Sequence, residues 1–71
     1  MSKIESEVTA AVWKIEKSVG YAVEPGDTVM ILESMKMEIP VEAEESGTIT
    51  ALHVSEGDAV DDGQLLAEIT E

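Results

Sequence analysis

Few side chains in this 71-residue chain can do chemistry, and almost all of them are acids: sixteen Asp and Glu against four lysines, one histidine and no cysteine. Without cysteine there is no thiol nucleophile and no disulfide, and one histidine is too few for a structural zinc site. Gly26-Asp27 and Gly57-Asp58 read as turns, since neither a helix nor a basic residue follows to make a phosphate loop. The acidic run Glu42-Ala43-Glu44-Glu45 lacks the spaced ligands of a cation site and reads as a solvated loop. His53 reads as a lone surface or edge histidine, and Trp13 as part of the packed sandwich or its rim; Tyr21 is the other aromatic. What remains is amine chemistry. Lys36 stands between Met35 and Met37 in the run Glu33-Ser34-Met35-Lys36-Met37-Glu38. A lysine offers a nucleophile on a long flexible stem, whereas arginine stays charged.

The elements that must hold Lys36 follow from an internal repeat. With the sequence laid over itself at a shift of 37 positions, Ser18, Gly20, Ala22, Val23 and Gly26 coincide with Ser55, Gly57, Ala59, Val60 and Gly63. Apolar positions coincide too: Val12 with Ile49, Ile15 with Leu52, Val29 with Leu66, Leu32 with Ile69. Period-two patterning gives eight strands, at Lys3–Val8, Ala10–Glu16, Ala22–Glu24, Thr28–Glu33, Met37–Ala43, Thr48–Val54, Ala59–Asp61 and Leu65–Thr70. The apolar phase slips at Val12/Ile15 and again at Ile49/Leu52, as a bulge or a strong twist would make it. Pro40 places its strand at an edge or bulge.

An all-β domain follows: a flattened eight-strand barrel or sandwich of two four-stranded antiparallel sheets, with the two four-strand halves related by a pseudo-twofold axis. The shift carries Glu33-Ser34 onto Thr70-Glu71, so the turn at Met35-Lys36 is the counterpart of the chain's end. Ser34–Met37 should therefore project from one end of the molecule and the termini lie near the other. A two-residue hairpin turn ordinarily needs Gly or Asn for positive φ, and this one has neither. A methionine stripe with an outward lysine mid-strand is the ordinary source of a Met-Lys-Met run. The repeat instead places the run at a loop tip, where two exposed methionines need a reader.

Composition narrows the class. One domain, residues 1–71, is expected, small enough that only about 60% of the unfolded surface is buried. Val and Ile dominate the apolar set and Phe is absent, which favours strands. A net charge of −12 argues against nucleic acid and anionic membranes as partners, and otherwise serves solubility. No run approaches the ~20 apolar residues of a membrane span, and Met1-Ser2-Lys3-Ile4-Glu5 has no signal-peptide core, so the cytoplasm is the expected compartment. The opening Met is what a free-standing chain would show, although cloned fragments share it.

Glu33-Ser34-Met35-Lys36-Met37-Glu38 resembles the attachment motif of biotinyl domains, usually Glu-Ala-Met-Lys-Met. The twin glycine corners, Val12-Trp13-Lys14-Ile15 and Ser46-Gly47-Thr48-Ile49 extend the resemblance along nearly the whole chain, most closely to short stand-alone biotin/lipoyl attachment proteins of the biotin carboxyl carrier type. The resemblance implies covalent biotin on Lys36, loaded by a biotin protein ligase from biotinyl-adenylate. An alkyl ammonium is protonated at neutral pH, so the ligase must deprotonate it. Met35 and Met37 would be read by partners, and Glu33, Ser34 and Glu38 match flanking recognition positions, the two acids being equally explicable as solvated charges. Stem and biotin side chain, about ten bonds of ~1.5 Å, give a swinging arm reaching ~10–15 Å.

The implied role is a non-catalytic carrier, monomeric when isolated. It takes carboxybiotin from a biotin carboxylase to a carboxyltransferase, which serves an acyl-CoA or a 2-oxo acid. Alternatives are a lipoyl carrier on the same fold, whose lysine is usually flanked by Asp and Ala, and an unmodified β-sandwich interaction module. Lys3, Lys14 and Lys17 are the rival lysines, and none of them sits on the hairpin. Two departures stand out: Ser34 replaces the usual Ala, and Glu7-Val8-Thr9-Ala10 stands where Pro-Met-Pro-Gly is usual. The linker and "thumb" insertion of larger carriers are absent from this sequence.

Overall fold

A computed structural model describes residues 2–71. It contains eight strands: β1 (Ser2–Glu5), β2 (Ala10–Ile15), β3 (Ala22–Val23), β4 (Thr28–Ser34), β5 (Met37–Glu42), β6 (Gly47–Leu52), β7 (Ala59–Val60) and β8 (Leu65–Thr70). They form two four-stranded sheets, in the orders β1-β8-β6-β3 and β5-β4-β2-β7, with every pairing antiparallel. We call them the β8 sheet and the β4 sheet.

The halves of the sequence are not the two sheets. Each sheet takes two strands from each half, so the repeats exchange strands across the sandwich. One apolar face per half is equally compatible with either arrangement, and only the edge pairings decide between them. The shift of 37 nevertheless maps one sheet onto the other pair by pair. Val12↔Leu32 corresponds to Ile49↔Ile69, Lys14↔Ile31 to Ala51↔Glu68, and Ala11↔Ala59 to Thr48↔Ala22. The edge pairing Ile4↔Ala67 corresponds to Val41↔Met30. The bulges repeat as well: one residue is inserted between Val12 and Lys14 and another between Ile49 and Ala51, where the apolar phase slips. Pro40 lies in β5, an edge strand, as a residue without an amide donor must.

The core is built from repeat-related pairs: Val12 and Ile49, Val29 and Leu66, Met30 and Ala67, Leu32 and Ile69, Val23 and Val60, all buried. The small Ala67 answers the long Met30, the kind of size compensation a tightly filled interior requires. β1 ends sooner than Lys3–Val8 because Ser6 is buried. Its hydroxyl bonds the Val8 carbonyl at 2.5 Å, and its backbone exchanges bonds with Gln64 and Gly63. Ala43, the counterpart of Ser6, makes the same backbone exchange with Asp27 and Gly26. The other strand ends lie within two residues of expectation.

Candidate functional site

β4 and β5 are paired right up to Ser34↔Met37, which leaves Met35 and Lys36 as the whole loop. Both carry positive φ, 52° and 66°. Two successive left-handed residues make the turn whose twist matches a right-handed hairpin, normally built from Asn-Gly. For a residue with a Cβ the left-handed region is disfavoured by roughly 1–2 kcal/mol. Two such residues side by side are a local liability that the paired strands on either side hold in place.

The turn presents its side chains to solvent. Met35 is 91% exposed and Met37 63%. Lys36 is exposed and belongs to neither ion pair found among the described residues, Lys14–Glu16 at 3.9 Å and His53–Glu68 at 2.8 Å. An unpaired amine on a two-residue turn is open to an incoming enzyme from several directions. The rival lysines differ: Lys3 lies in edge strand β1, Lys14 pairs with Glu16 in β2, and Lys17 is half-buried.

The flanking positions expected from the motif come together here. Glu33 and Glu38 are direct cross-strand partners, two like charges facing each other one step below the turn. A two-residue loop centred on 35–36 dictates that register, so the sequence contained it. The Ser34 hydroxyl donates to the Thr9 carbonyl at 3.2 Å and ties the hairpin to the segment before β2. Sequence reasoning had no signal for that tie, because it joins the two places where the chain departs from the usual motif.

β5 leads away from the turn, and beyond its end Glu45 accepts a hydrogen bond from the Ser2 hydroxyl. That bond first, then contact with the Glu71 carboxyl, holds the Glu45 carboxyl below the usual glutamate range. Ser2 and Glu71 therefore gather at the end of the molecule opposite Lys36, in a body 33 Å long and 17 Å across. The acidic run Glu42–Glu45 belongs to this far end. Trp13 is half exposed (50%), a bulge residue on the outer face of β2 rather than a core side chain, and His53 bonds Glu68 at the surface. No described helix is long and apolar enough to cross a membrane.

Comparison with known proteins bears on the same features. The family model described as "Biotin-requiring enzyme" matches residues 1–69. The chain is 39% identical over 67 residues to the biotin/lipoyl attachment protein of Bacillus subtilis (strain 168), covering 94% of this chain and 92% of that one. It is 40% identical over 67 residues to the biotinylated protein TB7.3 homolog of Mycobacterium leprae (strain TN), covering 94% of each. Among solved structures, the urea carboxylase of Kluyveromyces lactis superposes with a TM-score of 0.92 at 40% identity, over 97% of this chain and 6% of that one.

Proposed function

The chain belongs to the biotin/lipoyl attachment family, and on that premise we propose that residues 1–71 form one biotinyl domain whose acceptor is Lys36. It is a carrier: it holds biotin for a biotin-dependent carboxylase and catalyses no step itself. When attached, biotin supplies a ring nitrogen that takes up a carboxyl group and gives it up again. The observation that carries the assignment is the left-handed Met35-Lys36 turn with its exposed amine. The residues fit the group, since Lys36 is exposed and, among the described residues, no carboxylate pairs with its amine.

The chain's own contribution is mechanical and electrostatic. In loading, the deprotonated Lys36 amine attacks the acyl carbon of biotinyl-adenylate. An amide bond forms, the acyl–phosphate bond breaks, and AMP leaves with the electron pair. The ligase supplies the base, because the turn itself is only Met35-Lys36, and the flanking Glu33 and Glu38 pair with each other across the strands below it. Amide formation removes the only cation in the segment from Glu33 to Glu38. The tip then carries only its acids, and its change of charge distinguishes loaded from unloaded domain. The rigid hairpin holds the arm's root at one end of the body, and tethering sets its effective concentration at the partner sites.

The partners in this reading are a biotin protein ligase, a biotin carboxylase and a carboxyltransferase, met in the cytoplasm by a monomeric domain. Intact-mass measurement after co-expression with a biotin protein ligase tests it. One added biotin is expected, with peptide mapping placing it on Lys36 and Lys36→Arg abolishing it. Label on Lys14, or label that survives Lys36→Arg, rules the assignment out.

A further inference from the structure

The duplication supplies an internal control for the outer surfaces of the two sheets. Residues related by the shift of 37 occupy equivalent places, so a difference between them is not demanded by the fold. The outer face of the β8 sheet is polar and satisfies itself. The Thr50 hydroxyl reaches the Glu68 carbonyl at 3.4 Å and the Thr70 hydroxyl at 3.2 Å, while Glu68 holds His53 at 2.8 Å. On the β4 sheet Glu33, Glu16 and Lys14 stand for Thr70, His53 and Ala51, so charge remains at the edges, but the central places are apolar. Trp13 stands for Thr50, Ile31 for Glu68, Pro40 for Lys3 and Ala11 for Thr48. The indole is half exposed on this face, although a threonine serves the equivalent bulge.

This apolar face belongs to the sheet that ends in Lys36. Its rows run Ala59-Ala11-Glu33-Glu38 and then, one step farther from the turn, Lys14-Ile31-Pro40 beside Trp13. The facing Glu33 and Glu38 are in no ion pair among the described residues. An apolar centre edged by two uncompensated carboxylates fits a partner surface with an apolar contact and a cationic side chain at the matching edge. A second copy of this chain fits poorly, because it would bring another −12 of charge and the same acid pair.

From this asymmetry we infer that the outer face of the β4 sheet, centred on Trp13 and Ile31, is the surface on which the biotin protein ligase seats to load Lys36. The inference rests on Lys36 being the acceptor. Reach selects the ligase over later partners. The bare lysine stem extends only about 6 Å from its Cα, so the loading enzyme must lie against the body of the domain. Once loaded, an arm of ~10–15 Å lets other sites be visited with less contact. The face is bounded by a body 33 by 17 Å, which limits contact to the several hundred Å2 of a transient complex.

Steady-state biotinylation with purified ligase, biotin and ATP, read by intact mass, tests the inference. The variants are Trp13→Thr with Ile31→Thr, and separately Glu33→Thr, with Thr48→Ala on the opposite sheet as control; Trp13, Glu33 and Thr48 take their counterpart's residue, and Ile31 takes a β-branched polar one. Folding is checked by thermal unfolding, and threonine already serves the equivalent bulge. The expected result is a KM for the domain raised roughly tenfold by the double variant and several-fold by Glu33→Thr. kcat should stay within about twofold throughout, and the control should match the parent. An unchanged KM in a folded double variant overturns the inference. So does a fall in kcat alone, which would mean a distorted turn, or self-association of the parent chain that Trp13→Thr abolishes. Failure of the parent chain to take label on Lys36 would instead sink the carrier assignment itself, so the two failures are distinguishable.

Discussion

Met35 and Lys36 are the residues on which stability and function diverge. Their φ values of 52° and 66° lie where only glycine, and to a lesser degree asparagine, is comfortable. The sequence keeps an exposed methionine and a lysine there, which is what selection for an acceptor and its reader would leave behind rather than selection for a turn. Replacing Met35 with Asn should therefore stabilise the domain by about 0.5–1 kcal/mol, since asparagine enters the left-handed region more readily. For a domain this small, 1 kcal/mol corresponds to roughly 4–8 °C in Tm. The same variant should load biotin more slowly. Urea unfolding and biotinylation rates measured side by side check both halves. A Met35→Asn protein no more stable than its parent would show that the turn is not strained. Ser34 adds a smaller effect through its bond to the Thr9 carbonyl, which an exposed position limits to about 1 kcal/mol or less.

At the scale of strands, β6 lies tight against β8 at Gly47. A Cβ built on Gly47 would lie 2.7 Å from the Thr70 carbonyl oxygen and 2.7 Å from Ile69 Cγ2. Ala10 holds the equivalent place at the start of β2. Gly47→Ala should force β6 and β8 apart and lower stability by roughly 1–3 kcal/mol, while Ala10→Gly changes it by less than about 1 kcal/mol. Urea denaturation of the two variants is the check, and equal effects would show that β6 can shift without loss. Both bulges were legible in the sequence, because Val12/Ile15 and Ile49/Leu52 break the period of two at matching places. The turn at Lys36 was legible for a related reason: the shift of 37 set Glu33-Ser34 over the chain's last two residues. The exchange of strands between halves was not, because alternation reports which side chains face inward and says nothing about which edges pair. Nor was the early end of β1, which depends on a buried Ser6 whose hydroxyl finds the Val8 carbonyl. Trp13 is informative in another way. Its neighbours in sequence look like core, but the bulge turns it outward to a half-exposed position that only three-dimensional pairing reveals.

The whole molecule is small compared with the range of its own field. Sixteen acids and four lysines share a body of 33 × 17 × 17 Å. At ~0.01 M salt the screening length is about 30 Å, so every carboxylate feels every other; at ~0.15 M it is about 8 Å, and only neighbours interact. Self-repulsion of this kind opposes the compact state. The Tm should therefore rise by roughly 5 °C between about 10 mM and 500 mM NaCl at neutral pH, and a flat response would show that the charges are already compensated. Acid separates this global term from a local one. Protonating surface carboxylates relieves the repulsion and should at first stabilise. Glu45 acts in the opposite sense, because the Ser2 hydroxyl and the Glu71 carboxyl hold its folded-state pKa below the usual glutamate range. A depressed pKa means a stabilising contribution that is present above the unfolded value and lost as pH falls through the folded one. The Glu45→Gln variant should thus melt below its parent at neutral pH. The gap should persist down to the ordinary glutamate range and close only beneath it. Thermal unfolding of both proteins across that range is the measurement, and a gap that widens with acid would show that the contact between the two chain ends is not held by the Glu45 carboxylate.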